Sequence, residues 1–175
     1  MNKLLRMLKH RWLDASDSAR AVPDDLAERL AARVAASETR HSGEIRICIE
    51  AGLPLDELWR VNADTPLRTV VRARALGWFG RLGVWDTEQN NGVLIYLLLA
   101  EHAIEFVADR GLAHHVSPAQ WQAMVERLGQ HLRARDFESG LTQALEEVSA
   151  LLVDHFPMDA DQHNPNELPD AIVRV

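Results

Sequence analysis

The segment Val93-Leu94-Ile95-Tyr96-Leu97-Leu98-Leu99 places seven largely apolar side chains in a row with no polar interruption. A run of that length without alternation suits a strand covered on both faces, at the centre of a sheet carrying helices on each side. The whole stretch 92–100 has nine residues, far short of the roughly 20 that a membrane helix needs. A central strand is therefore its predicted state.

The rest of the chain supplies what such a strand requires. Ile45, Ile47 and Ile49 alternate with Arg46 and Cys48, and Glu44 and Glu50 flank them, so residues 44–50 are predicted as a strand buried on at least one face. Residues 67–79 read as a helix, with Val70, Val71, Ala75, Leu76 and Phe79 inward and Arg68, Arg72 and Arg74 outward. Ile104, Phe106 and Ala108 alternate with Glu105 and Val107 after the turn residues Glu101 and His102, which predicts an antiparallel hairpin. Upstream, Pro23, Asp24 and Asp25 open a helix striped by Leu26, Leu30 and Val34, ending near Gly43. Downstream, Ser117, Pro118 and Gln120 form a capping box, and Asp136 caps a last helix that stops at Phe156-Pro157. Residues 171–175 offer a further edge strand. The fold class is α/β, a three-layer α/β/α sandwich around a small sheet with a parallel pair and an antiparallel hairpin. The expected division is a basic amphipathic segment and connector at 1–22, one domain at 23–157, and an acidic polar tail at 158–175.

Charge and cysteine content exclude several function classes. Nineteen Lys+Arg against 26 Asp+Glu give a net charge of -7, unfavourable for binding nucleic acid through phosphates. Residues 1–80 hold 13 basic and 11 acidic side chains and residues 81–175 hold 6 and 15, so the second half is the one suited to a cation. Cys48 is the single cysteine and lies in the first apolar strand, which rules out a disulfide or a thiolate zinc cluster within the chain and marks it as a packed hydrophobe. His114 and His115 are adjacent and diverge on any regular element, and no HExxH or HxH spacing occurs. GxSxG, P-loop and GxGxxG motifs are likewise missing.

The N-terminal residues 1–13 intersperse Lys3, Arg6, Lys9 and Arg11 with Leu4, Leu5, Met7, Leu8 and Trp12, without the continuous apolar core of a signal peptide. Two readings stand: a helix resting on an anionic membrane or a protein partner, or a helix packed on its own domain. A cytoplasmic chain is the expectation, peripheral to the inner face of the membrane if the first reading holds.

Two stretches carry candidate ligand chemistry. In 86–92, Asp86, Glu88 and Asn90 space hard oxygens at alternate positions, as calcium loops do, but the glycine comes one place late and Leu97 stands where the bidentate glutamate of an EF-hand belongs. The alternative is a polar turn with Asn91 and Gly92 in left-handed conformations. Asp109-Arg110-Gly111, at the end of the hairpin, offers a carboxylate, a guanidinium able to grip a phosphate oxygen, and a permissive glycine.

In order and spacing, Ser42-Gly43-Glu44-Ile45, Leu82-Gly83-Val84 with Thr87, Asn90-Asn91-Gly92-Val93-Leu94-Ile95, Asp109-Arg110-Gly111-Leu112, Trp121, Phe137-Glu138-Ser139-Gly140-Leu141 and Phe156-Pro157 resemble the TPM domain family. Asn166-Glu167-Leu168-Pro169-Asp170 is similar to the end of a short bacterial form without a membrane anchor. The resemblance implies an α/β/α sandwich, with a phosphatase label and divalent cations, calcium above all, at acidic residues near strand ends. Carried onto this chain it points to Glu44, Asn90, Asn91, Asp109 and Arg110, and chemistry alone adds Asp86 and Glu88. The expected metal set is then Glu44, Asp86, Glu88, Asn90 and Asp109 with calcium or magnesium, Arg110 as a phosphate contact, and Asn91, Gly92 and Gly111 shaping the loops. The expected function is a cation-binding accessory domain with a protein partner, or alternatively a metal-assisted phosphomonoesterase.

Overall fold

The computed structural model describes residues 3–158 and 168–175. Asp159, Asp161, Asn166 and Glu167 of the tail, and Met1 and Asn2, lie outside the described residues. In chain order the elements are α1 (Lys3–Trp12), α2 (Ala15–Ala21), α3 (Asp24–Glu38), β1 (Ile45–Glu50), α4 (Leu55–Trp59), α5 (Leu67–Arg81) and β2 (Val93–Leu98). A 3-10 turn at Leu99–Glu101 then leads into β3 (Ala103–Ala108), α6 (Arg110–Ala113), α7 (Pro118–Arg133), α8 (Phe137–His155) and β4 (Val173–Arg174).

The seven-residue apolar run does lie inside a sheet, whose order is β3-β2-β1-β4. β1 and β2 are parallel, Ile45 opposite Val93 and Glu50 opposite Leu98, and every residue of both is buried. β3 returns antiparallel from β2, with Ala108 opposite Val93, and His102 completes the turn at a φ of 51°. β4 pairs with β1 through Cys48 and Ile49.

Alternation along the strands builds two cores. Ile45, Ile47, Ile49, Val93, Ile95 and Leu97 meet Leu30 and Val34 of α3, Leu128 of α7 and Leu141, Leu145 and Val148 of α8. Cys48, Leu94, Tyr96 and Leu98 meet Val70, Val71 and Ala75 of α5 and Leu58 of α4. Helices on both faces explain why β2 is apolar throughout apart from the Tyr96 hydroxyl, which donates to Glu50. Among the described residues no helix is long and apolar enough to cross a membrane.

Several local expectations are corrected. Pro23 is the N-cap of α3, and that helix ends at Glu38 without a left-handed glycine. Gly43 is instead a site of close approach: a Cβ there would lie 2.5 Å from Leu152 Cδ2 and 3.0 Å from the Asn91 carbonyl. On α5, Leu76 is exposed and Arg74 turns inward, because the Glu50 carboxylate at the end of β1 binds it. The capping box of α7 and the Asp136 cap of α8 form as the sequence predicts.

Candidate functional site

The two ends of the parallel pair differ in what they leave available. At the carboxyl ends, Glu50 accepts from Arg74 Nε at 3.0 and 3.1 Å, from Trp78 Nε1 at 2.9 Å and from Tyr96 Oη at 2.7 Å. This buried carboxylate is saturated, and burial together with Glu50 pushes the Tyr96 phenol far above its usual range. Helix α1 closes the same end. Leu53 N–H donates to His10 Nδ1 at 2.8 Å, which leaves the proton on His10 Nε2 to donate to Glu101 Oε1, also at 2.8 Å. Arg6 adds its guanidinium 3.1 Å from that carboxylate oxygen. Crevices beyond carboxyl ends are where open α/β sheets usually bind ligands; here the chain's own helix fills that place. An open groove of about 460 Å³ beside α2, lined by Leu97, Leu99, Leu132, Phe137, Arg20 and Arg135, contains no buried acceptor lacking a donor.

The candidate residues read from the sequence gather at the other end. Strand register sets Glu44, Gly92 and Asp109 in one row: Val93 N–H donates to the Glu44 carbonyl and Asp109 N–H to the Gly92 carbonyl, each at 2.8 Å. Gly111 N–H donates to the Asn90 carbonyl at 2.8 Å, which ties the loop before β2 to the segment after β3. Two glycines permit this closeness. A Cβ on Gly92 would lie 2.0 Å from the Val84 carbonyl oxygen, and one on Gly111 would lie 2.5 Å from that of Asn90. The left-handed conformation expected at Asn91 and Gly92 falls instead on Asn90, with a φ of 54°.

Within this cradle Asn91 is fully buried and Asp109 is 8% exposed. Asn91 N–H donates to Thr87 Oγ1 at 3.1 Å, and its side-chain amide donates to Ser42 Oγ at 3.1 Å, while Ser42 Oγ donates to Gln89 Oε1 at 3.0 Å. Asp109 Oδ1 accepts from Arg110 N–H at 2.6 Å. The remaining oxygens, Asn91 Oδ1 and Asp109 Oδ2, are buried and have no hydrogen-bond partner. Buried acceptors in folded proteins are nearly always paired, so these two orphans on residues flanking one strand bridge stand out, although Arg46 Nε and Nη1 on β1 and Thr142 Oγ1 on α8 are likewise buried without a hydrogen-bond partner.

The other candidates separate from these. Asp86, Glu88 and Asn90 are exposed on the loop, and Arg110 is exposed at the start of α6. The Glu44 carboxylate turns toward the C-terminal segment and accepts from Leu168 N–H at 3.3 Å. It lies beside a buried ionisable group that the sequence did not single out. Glu38 Oε1 accepts from Ile45 N–H at 3.0 Å, and desolvation, with Glu44 and Asp170 adding to it, pushes the Glu38 carboxyl up to about 9. Arg46, also buried, is pushed down by desolvation against the opposing effect of Asp170, Glu38 and Glu44. Nearby His41 donates from Nδ1 to the Gly43 carbonyl at 3.0 Å, and burial pushes it down to about 4. Among the described residues no three acidic, histidine or cysteine side chains converge on a single point. The oxygens at the cradle are thus one carboxylate and one amide, not the five-residue set that the sequence suggested as one group.

Comparison with known proteins bears on the fold. The TPM domain model matches residues 15–151. The NMR structure of BA42 protein from the psychrophilic bacterium Bizionia argentinensis is similar over 89% of this chain and 92% of that one, with 24% sequence identity and a TM-score of 0.69, a likeness of fold. No curated protein sequence matches the chain.

Proposed function

The chain belongs to the TPM domain family, and on that premise we propose that it is a divalent-cation-binding accessory domain whose ion sits at the amino ends of β1 and β2. The observation that carries this reading is the pair of buried, unpartnered oxygens, Asn91 Oδ1 and Asp109 Oδ2. Hard cations take oxygen donors, and calcium accepts a mixture of carboxylate, amide and water oxygens. The orphaned pair fits such an ion. Asp109 supplies the charge, Asn91 a neutral oxygen held by its bond to Ser42, and Asp86 and Glu88 on the adjoining loop add negative potential for approach. Glu44 acts by holding the C-terminal segment in place. Calorimetric titration with calcium chloride, and separately with magnesium chloride, tests the reading: heat is expected for the wild type and about tenfold weaker binding for Asp109→Asn. Identical heats for the two proteins would remove Asp109 from the site.

Arg110 favours a second reading. Its exposed guanidinium follows Asp109 directly, so a phosphate oxygen approaching the cradle would meet it. A bound cation would offset phosphate charge, while Arg110 would orient the monoester. Metal-dependent hydrolysis of an aryl phosphate, lost in Arg110→Ala, is the expected result. Turnover no greater than that of heat-treated protein would eliminate a phosphatase.

A further inference from the structure

Helix α1 carries two faces that the sequence could not separate. Arg6, Met7 and His10 turn toward the domain: Met7 packs on the α5 side core, and Arg6 and His10 bind Glu101. The opposite stripe remains outside, with Leu5 59%, Leu8 46% and Trp12 81% exposed, and Leu4 lies on the same stripe. At 100° per residue these positions span about a quarter of the helix circumference, and the exposed Lys9 and Arg11 border the stripe on its two sides. α1 packs against α4, where Leu55 and Trp59 are also exposed.

An apolar stripe ending in tryptophan and edged by cations is the pattern of a helix lying in a membrane interface, where apolar side chains enter the acyl boundary and cations meet anionic headgroups. We propose that α1, docked on its own domain through Arg6, Met7 and His10, rests its outer face on an anionic lipid bilayer. The local charge decides the occupant: residues 3–12 hold Arg6, Lys9 and Arg11 and no carboxylate, so this face presents cations although the whole chain has a net charge of -7, and an anionic bilayer offers it both negative charge and an apolar boundary. The orientation follows. α1 caps the carboxyl ends of β1 and β2, so the buried Asn91 and Asp109 cradle lies at the far ends of six-residue strands, about 20 Å away, on the side turned from the bilayer. The inference rests on α1 alone and stands whether or not the cradle binds an ion.

The test is flotation of the full chain with vesicles of phosphatidylcholine containing about one third phosphatidylglycerol, against vesicles of phosphatidylcholine alone. Binding is expected to the anionic vesicles, about tenfold weaker to the neutral ones and in high salt. Leu8→Ser/Trp12→Ser and Lys9→Glu/Arg11→Glu should each abolish flotation with unchanged denaturation midpoints, since all four side chains are exposed. In a Trp12→Phe variant that still floats, quenching of tryptophan fluorescence by brominated lipid should fall. No flotation of the wild type, equal binding to both vesicles, or a dimer that depends on Trp12 without vesicle binding would each overturn the proposal.

Discussion

The amino and carboxyl ends of the β1 and β2 pair are built from similar polar residues and reach opposite states. At the carboxyl end one buried carboxylate, Glu50, receives Arg74, Trp78 and Tyr96, and His10 uses both ring nitrogens. At the amino end the backbone is equally well paired, yet Asn91 Oδ1 and Asp109 Oδ2 are left over. A buried carboxylate that is fully paired is a structural element with no capacity for a ligand, whereas an orphaned one has a desolvation cost that only a ligand or water offsets. The location of unused acceptors, more than the location of charge, separates scaffold from candidate site.

The contrast can be broken most forcefully at Glu50. Glu50→Ala strands Arg74 in the interior and should lower the free energy of unfolding by about 3 kcal/mol, read by denaturant titration, while leaving any calcium response intact. A loss of the calcium response in a folded protein would mean that the two ends are not independent. Gly92→Ala comes next: its Cβ cannot lie 2.0 Å from the Val84 carbonyl, so the strand start must shift, and a destabilisation of about 2 kcal/mol is expected together with loss of the cradle. A neutral Gly92→Ala would show that this end is plastic.

Glu38 sharpens the comparison through pH. Its folded pKa of about 9 lies above its ordinary value of 4.5, so its contribution is complete below pH 4.5 and is lost as pH rises toward 9. Wild-type stability should therefore decline between about pH 6.5 and 9, since below 6.5 His41 acts in the opposite sense, and Glu38→Gln, which keeps the acceptor for Ile45 N–H, should flatten that decline. Parallel curves for the two proteins would contradict the buried, protonated carboxyl. His41 acts on the other side: its folded pKa of about 4 lies below the ordinary 6.5, so stability is lost as pH falls through that interval.

Much of the framework was legible because it depends on local pattern. The apolar run of β2, the alternation of β1 and β3, the Ser117 box and the Asp136 cap each specify an element within a few residues. Where pattern failed, a long-range partner prevailed. Arg74 looks like surface charge until Glu50, 24 residues away, is known to lie under it. Gly43, Gly92 and Gly111 read as turn formers, but their requirement is close contact with chain segments distant in sequence or folded back on them. The candidate site was legible only as a neighbourhood. Asp109 and Asn91 could be named from sequence, but Glu44 is diverted by Leu168, while Ser42 and Thr87, which fix Asn91, carried no chemical signal beyond their place in motif fragments.

The smallest effect on stability is expected for Asp109→Asn, which keeps the Oδ1 bond to Arg110 N–H and should fall within about 1 kcal/mol of wild type. The same variant gives the most direct test of the spare oxygens at the amino end. Amide NMR spectra recorded through a calcium titration to millimolar metal should show the signals of residues 89–92 and 109–111 moving in the wild type, those of residues 50–53 and 101 at the other end staying fixed, and Asp109→Asn responding weakly or not at all. Unmoved signals at 89–92 and 109–111 in the wild type, or an unchanged titration in Asp109→Asn, would contradict the account.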